Sequence, residues 1–217
     1  MTTEWHTLWR EGNLGFHSAS VHRDLIAHEH QFLGDRPRRV LVPLCGKTVD
    51  LAWLADRGHE VIGVELVAQA VDELFAALGQ TPEVQQQGAL TVFRWQRITI
   101  LCGDIFDVSA ADAGPVDRIW DRAALVALPA EVRRRYARHV RTLAAPGAVQ
   151  LLNAFEYDTA VMEGPPFSVP DAEVRELYAP AQIDVLEQRD AIAEMPRWRE
   201  LGHRHWHVRS YLIALSG

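Results

Sequence analysis

The chain has 217 residues, of which 48% are apolar, and this suits a single domain over residues 1–217 with one substantial core. Its 22 basic and 29 acidic side chains give a formal net charge of −7 without a basic run, which argues against nucleic acid as a partner. Cys45 and Cys102 lack metal-site spacing, and no leader or membrane-length apolar run is present. We therefore expect a cytoplasmic protein without a membrane partner, and a monomer, because no apolar helix lacks a core role.

The first half of the chain alternates helix and strand signals. Helical spacing of apolar residues predicts a helix over 20–33, and a short β-branched run predicts a buried strand over 39–44. A helix over 48–57, a strand over 60–65 and a helix over 68–78 follow. Crossovers of this length imply parallel strands with right-handed connections and helices on both faces of the sheet.

The second half of the chain extends this sheet. Two strand signals over 90–95 and 97–101 predict a hairpin, and a helix is predicted over 130–143, ended by Pro146 and Gly147. The remaining segments are strands over 116–120, 148–153, 183–188 and 205–215 and a short helix over 171–177. The fold class is α/β, a doubly wound and mostly parallel sheet. We expect a seven-stranded sheet whose last strands are antiparallel.

The segment from 39 to 65 carries the strongest clue to function. In an open α/β sheet, ligands bind outside the carboxyl ends of the strands, where the strand order reverses. Gly46 follows the first strand and would let a ligand approach the backbone at the N-terminus of the next helix. Glu65 ends the second strand, where a carboxylate can accept hydrogen bonds from both hydroxyls of a ribose. The alternative is a tight turn at Gly46 and an ordinary strand end at Glu65.

The glycine pattern of this loop narrows the ligand. A dinucleotide site has Gly-x-Gly-x-x-Gly, whereas this loop has one glycine, so a pyrophosphate is poorly supported. The Gly46-Lys47-Thr48 run resembles the end of a Walker A loop, but the first glycine of that pattern is missing. An adenosine cofactor without phosphates, such as S-adenosylmethionine, fits better. A nicotinamide-dependent oxidoreductase and a non-catalytic binding protein remain the alternatives.

Two further strand ends add candidate site residues. Asp104 and Ile105 follow the third strand, where a carboxylate and an apolar side chain could flank an adenine ring. A glycine-aspartate turn with Ile105 in the core is the alternative. Arg122 follows the fourth strand and could hold a carboxylate of the cofactor or of a substrate. Its alternative is a local ion pair with Asp121 or Asp104.

Short motifs follow one another along nearly the whole chain. They stand at 5–9, 15–17, 42–51, 63–65, 105–107, 120–126 and 164–167 and read WHTLW, GFH, VPLCGKTVDL, GVE, IFD, WDRAALV and GPPF. In this order they resemble the motifs of the thiopurine S-methyltransferase family. The resemblance implies a class I methyltransferase fold with S-adenosylmethionine as cofactor. One departure is Asp104, because some members of the family carry a small neutral residue there.

The resemblance also implies roles for individual residues. Segment 1–33 would cover the active site, with Phe16 facing the acceptor and Arg197 approaching it. Without the resemblance, the aromatic side chains of this segment would suit a helix packed on the sheet. The implied contacts to S-adenosylmethionine are at Trp9, Leu44, Glu65, Ile105 and Arg122.

The acceptors that the resemblance implies are soft nucleophiles. They are the sulfur of aromatic and heterocyclic thiols, including thiopurines, and selenium or tellurium species. Methyl transfer is an in-line displacement, so the protein must align the acceptor and exclude water. A heteroaromatic thiol ionises readily, so a cation such as Arg122 or Arg197 can favour the thiolate and no base is obligatory.

The alternating histidines, Cys45 and the loop over 164–167 have no catalytic role in this interpretation of the sequence. His203, His205 and His207 alternate, which predicts one face of a strand, and we reject a metal site because no cysteine or carboxylate lies in that run. Cys45 is interpreted as a small apolar filler of the cofactor loop. The loop over 164–167 is predicted to line the acceptor side or to be a surface connection.

Overall fold

The computed structural model describes residues 2–12 and 17–215. The strands in this part of the chain are β1 (Arg39–Val42), β2 (Glu60–Glu65), β3 (Glu83–Gln87), β4 (Leu90–Trp95), β5 (Ile98–Cys102), β6 (Val116–Arg122), β7 (Ala144–Glu156), β8 (Gln182–Asp190) and β9 (His207–Ala214). The helices are α1 (Thr2–Arg10), α2 (Arg23–Ala27), α3 (Glu29–Leu33), α4 (Asp50–Asp56), α5 (Ala68–Leu78), α6 (Ala110–Ala113), α7 (Ala130–Leu143), α8 (Asp171–Tyr178) and α9 (Pro196–Glu200). Short 3₁₀ turns lie at Ile105–Asp107, Leu125–Ala127 and Ile192–Glu194.

The strands form one sheet in the order β3-β4-β5-β2-β1-β6-β7-β9-β8. The five central strands from β5 to β7 are parallel, and the outer ones pair antiparallel on both sides. The predicted doubly wound, mostly parallel α/β fold with antiparallel last strands is therefore confirmed. The chain leaves β1 towards β2 on one side and returns to β6 on the other, which places the reversal of strand order beside β1.

The expected number of seven strands is wrong, because the described residues form a 9-stranded sheet. The predicted hairpin over 90–101 is present as β4 and β5, but β3 adds a further strand outside it. All residues of β3 are exposed, and its sequence is Glu-Val-Gln-Gln-Gln. An edge strand that buries no face has no alternation of apolar residues to reveal it.

The sheet is buried on both faces at its centre. In β1, Leu41 packs on one face, while Val40 and Val42 pack on the other, because successive side chains of a strand point to opposite faces. Side chains of α4 and α5 cover the face of Val40, and side chains of α7 and α8 cover the face of Leu41. This explains why the central strands read as short, uninterrupted apolar runs.

The helix predicted over 20–33 is divided in the structure. It consists of α2 and α3, which meet at His28, where the backbone leaves helical geometry at φ −109° and ψ 15°. The spacing of apolar residues correctly predicted helical structure in each half, but it did not indicate the break at His28. The helices predicted over 68–78 and 130–143 are confirmed with the same bounds as α5 and α7.

Two predicted boundaries are also corrected. The chain leaves α7 at Ala144 and enters β7 at once, ahead of Pro146 and Gly147, and the pairing of β6 with β7 shifts register in this stretch. The last strand begins at His207 rather than at 205. Among the helices of the described residues, none combines the length and apolar character needed to cross a bilayer.

Candidate active site

A cavity of about 500 Å³ lies at the carboxyl ends of the central strands, beside the reversal of strand order. Its volume is in the range of pockets that bind small molecules and cofactors, roughly 300–1,000 Å³. The predicted site residues that line it are Trp9, Leu44, Gly46, Glu65, Asp104, Ile105, Arg122 and Arg197. Phe16, predicted to face the acceptor, lies outside the described residues. The structure thus brings the described candidates together around one space.

Glu65 lies at the floor of the cavity, at the end of β2, and is 6% exposed. Its Oε2 accepts a hydrogen bond from the Gly46 N–H at 2.7 Å, and its Oε1 accepts one from the Val67 N–H at 2.8 Å. Burial raises the pKa of this carboxyl, while the backbone donors act in the opposite direction. A carboxylate has about four acceptor positions, more than the backbone donors fill, so Glu65 can still accept from a ligand hydroxyl.

The loop after β1 is shaped by left-handed backbone at two positions. Leu44 has φ 48° and Gly46 has φ 53°. A Cβ atom on Gly46 would lie 3.4 Å from the Trp9 ring, which is itself 3% exposed. Gly46 precedes α4, which begins at Asp50, so the glycine lies in a turn ahead of the helix rather than in its first turn.

Lys47 is a residue of this loop that sequence reasoning did not select. Its Nζ lies 2.6 Å from Glu73 Oε2 and 5.6 Å from the centroid of the Trp9 ring. Gln69 Nε2 also donates to the Trp9 carbonyl at 3.3 Å. These contacts attach the end of α1 to α5 and hold the indole over the cofactor loop.

The third strand end combines a buried apolar residue with an exposed acid. Ile105 is 6% exposed and lines the cavity. The Asp104 carboxylate accepts a hydrogen bond from the Phe106 N–H at 3.0 Å and so caps the short turn that follows. The turn interpretation therefore holds for the geometry of Asp104, which also lies on the cavity wall.

Arg122 is half-buried, and its guanidinium has no carboxylate within ion-pair distance among the described residues. Burial lowers its pKa, and Asp50 is the charge that acts against this change. The alternative of an ion pair with Asp121 is wrong, because Asp121 turns into the core. An unpaired cation that lines a cavity is available to an anionic ligand group.

Asp121 instead holds the turn that follows Arg122. Its Oδ2 accepts from the Tyr136 hydroxyl at 2.8 Å and from Gln150 Nε2 at 3.2 Å, and its Oδ1 accepts from the Leu125 N–H at 3.1 Å. The side chain is fully buried, and burial raises its pKa to about 6. The turn includes Ala123 at φ 69°, a left-handed conformation uncommon outside glycine.

Aromatic side chains form the wall of the cavity away from Glu65. Trp206, which is 1% exposed, stacks on Trp198 at 4.9 Å and on Tyr157 at 4.6 Å between ring centroids, and it packs against Phe155 at 5.0 Å. The predicted Gly-Pro-Pro-Phe loop contributes Pro165 and Pro166 to the lining, as do Met195 and Arg197. A flat apolar ligand would find its contact surface here.

Polar residues from distant segments line the region between these two ends. Asp50, 1% exposed, accepts from the His22 N–H at 2.9 Å and from Trp120 Nε1 at 2.8 Å. Asn153 donates to Asp24 Oδ2 at 2.6 Å. Asn153 lies at the end of a predicted strand. The rule that ligands bind at the carboxyl ends of the strands, which selected Glu65 and Arg122, therefore applies to it as well. No sequence signal places His22 here.

The three alternating histidines do not share a strand face, so that expectation is wrong. His203 is 2% exposed and packs edge-on against Tyr157 and Trp206, whereas His205 lies 2.8 Å from Asp190. Only His207 belongs to β9. In the described part of the chain, no group of three potential ligands is arranged to hold a metal ion.

The fold is similar to that of solved methyltransferase structures. A 1,6-didemethyltoxoflavin-N1-methyltransferase of Burkholderia thailandensis, solved with S-adenosylhomocysteine, superposes with a TM-score of 0.64 at 18% identity, covering 98% of this chain and 87% of that one. The similarity concerns the fold. Together with the acidic end of β2 and the cavity beside β1, this fold is that of the class I methyltransferases.

The sequence comparisons then give the family. The chain belongs to the thiopurine S-methyltransferase family, whose model matches residues 1–215. A thiopurine S-methyltransferase of Pseudomonas fluorescens (strain Pf0-1) is 40% identical over 210 residues, which cover 96% of both chains. One of Xanthobacter autotrophicus is 49% identical over 175 residues, which cover 80% of this chain and 82% of the relative. This membership identifies the chain as an S-adenosylmethionine-dependent methyltransferase and excludes the alternative of a nicotinamide-dependent oxidoreductase.

Proposed function

We propose that the chain transfers a methyl group to the sulfur of an aromatic or heterocyclic thiol of the thiopurine type. The observation that carries this proposal is the pairing of two ends in one cavity: the buried Glu65 carboxylate at one end and the wall around Trp206 at the other. The unpaired Arg122 guanidinium lines the same space. A bound cofactor and a flat acceptor would share it.

The side chains around Glu65 fit S-adenosylmethionine. The free lone pairs of Glu65 would accept the ribose hydroxyls, and Leu44 and Ile105 would flank the adenine. The unpaired Arg122 cation would bind a carboxylate, either of the methionine portion or of an acceptor. Gly46 would keep the loop clear for Trp9, which covers it.

When bound, S-adenosylmethionine supplies an electrophilic methyl group. The protein's task is to hold the acceptor sulfur in line with that methyl and to exclude water. Phe155 and Trp198, which pack on the enclosed Trp206 and line the cavity, would contact and orient a planar acceptor. Arg122 and Arg197 would favour the thiolate by their charge, so no base is obligatory.

Segment 1–33 is proposed to cover the active site. Trp5, Leu8, Trp9, His17 and His22 of this segment line the cavity. Because these side chains come from outside the sheet, they can exclude water from a site that the strand ends alone would leave open. Segment and sheet are proposed to form one domain over 1–217.

Binding and product analysis test this proposal together. Calorimetry with S-adenosylhomocysteine should give binding to the wild-type protein and little to Glu65→Ala, whereas Glu60→Ala, at the exposed start of β2, should bind normally. Incubation with S-adenosylmethionine and a panel of aryl thiols and thiopurines should give S-methyl products by mass. Binding without transfer to any acceptor would contradict the proposal.

Selenite and tellurite, each with a thiol reductant, are included in the acceptor panel, because the reduced selenium and tellurium species that form are nucleophiles as soft as a thiolate. A cytoplasmic location is proposed from the cysteine content, and a monomer because every apolar helix predicted from the sequence has a role in the core. Light scattering on the purified protein, where a mass near 24.4 kDa is expected, tests the monomer.

A further inference from the structure

His22 is fixed in the cavity wall by contacts on several sides. It is the N-cap of α2, its backbone N–H donates to Asp50 at 2.9 Å, and its ring lies 5.4 Å from the Trp120 ring, centroid to centroid. The side chain lines the same cavity as Glu65 and Trp206. Its position is therefore set by the fold before any ligand binds.

The cap fixes which ring nitrogen of His22 carries the proton. Nδ1 accepts a hydrogen bond from the Asp24 N–H at 3.3 Å. A nitrogen that accepts is unprotonated, so the proton of the neutral ring is on Nε2. Nε2 is not fully enclosed, and it has no hydrogen-bond partner among the described residues. The ring therefore presents one free N–H donor.

Burial of the ring favours this neutral state. Burial lowers the pKa of His22, and Arg122 and Arg189 act in the same direction, while Asp24 and Asp50 oppose them. Protonation would also place a second N–H on Nδ1 against the Asp24 N–H and break the cap. At neutral pH the Nε2 atom of His22 thus carries a proton and donates a hydrogen bond. Because it is already protonated, it cannot act as a base towards the thiol.

We propose that His22 binds the methyl acceptor through its Nε2–H and thereby selects the ionised form of the acceptor's sulfur. This inference rests on the proposed function. The hydrogen bond strengthens when the sulfur is negative, so it lowers the pKa of a bound thiol. The thiol proton leaves to water before transfer, and the sulfur then forms the new bond to carbon with its own electron pair. His22 is a binding residue and not a base.

Three variants separate the donor from the helix cap. His22→Gln places an amide N–H near the position of Nε2. His22→Asn keeps an oxygen that can accept the hydrogen bond of the Asp24 N–H, but its side chain is too short to reach the bound thiol. His22→Phe removes both functions. Calorimetry with S-adenosylhomocysteine should give the same affinity for all three, and thermal unfolding should rank Asn above Phe.

The decisive readout is the thiolate absorbance of a nitro-substituted benzenethiol bound to the protein with S-adenosylhomocysteine. Against wild type, His22→Asn and His22→Phe should raise the pKa of the bound thiol by about one unit and lower kcat/KM roughly tenfold below that pKa, while His22→Gln should retain most of both. Equal values for Asn and Gln would overturn the proposal. So would a histidine ionisation in the kcat/KM profile that His22→Gln abolishes, because that would make His22 a base. A wild-type protein that methylates no thiol would instead refute the proposed function.

Discussion

At the scale of single residues, the site depends on a carboxylate that the backbone holds in place. Glu65 is buried, a state that costs free energy unless hydrogen bonds compensate. The N–H groups of Gly46 and Val67 provide this compensation, one for each oxygen. Because both donors come from turns at strand ends, the same contacts also fix the shape of the cofactor loop.

We expect Glu65→Gln to weaken both folding and binding. The amide has a single oxygen, so its NH₂ must face the N–H of Gly46 or of Val67, and this should lower the free energy of unfolding by about 1–3 kcal/mol. Urea unfolding and calorimetry with S-adenosylhomocysteine measure the two effects. Glu60→Gln at the exposed end of β2 is the control and should change stability by less than about 0.5 kcal/mol.

Arg122 illustrates the opposite case, a half-buried charge without a counter-charge. We expect Arg122→Met to raise the free energy of unfolding by about 1 kcal/mol, because the unpaired cation is removed, and to lower kcat/KM at least roughly 100-fold. Arg133→Met is the matched control, since Arg133 pairs with Glu173 at 2.8 Å and is 3% exposed. That variant should lose about 3 kcal/mol of stability. A loss of stability in Arg122→Met would contradict the assignment.

At the scale of secondary-structure elements, prediction from sequence succeeded where burial leaves a periodic pattern. Helices α5 and α7 have apolar residues at helical spacing, and their bounds were predicted without error. The pattern failed at His28, where two helices meet, and at β3, which buries no face. Both depend on contacts with other elements, and a single segment of sequence does not contain them.

The turn after β6 gives a prediction for pH dependence. Burial raises the pKa of Asp121 from 3.8 to about 6. Since the folded pKa lies above the unfolded one, the contribution of Asp121 to stability is full below the unfolded pKa and is lost as the pH rises towards the folded pKa. Between about pH 4 and about pH 7, the stability of wild type relative to Asp121→Asn should fall by on the order of 3 kcal/mol.

Urea unfolding of both proteins across this range checks the prediction. Tyr136→Phe removes the hydroxyl that donates to Asp121, which should raise the folded pKa further and move the change to higher pH. If the two stabilities stay parallel over the whole range, Asp121 keeps one ionisation state and the argument fails.

At the scale of the whole molecule, the site is assembled by the sheet. Strand ends bring Glu65, Ile105 and Arg122 to one edge, and this followed from their positions in sequence once a doubly wound fold was recognised. The contacts of His22 and Trp206 could not be inferred, because they depend on how the chain's two ends fold back over that edge. Asp24 and Asn153, 129 positions apart, are an example of such a contact.

The packing of α1 over the cofactor loop predicts that a bound ligand protects the N-terminal segment from proteolysis. Arg10 is exposed at the end of α1, directly after Trp9, which covers the loop. Trypsin needs an extended substrate, so cleavage after Arg10 requires α1 to unfold or to leave the loop. With S-adenosylhomocysteine at about ten times its Kd, cleavage should slow roughly tenfold, because the ligand stabilises only the covered state.

Mass spectrometry of the fragments over time identifies this cleavage. Trp9→Ala should lose the protection although the ligand, present at ten times the variant's own Kd, still occupies the site. The comparison separates coverage by α1 from general stabilisation, since a ligand that stabilises the whole fold would protect both proteins equally. Equal protection would mean that residues of the sheet edge alone enclose the cofactor, and that α1 packs beside the site without closing it.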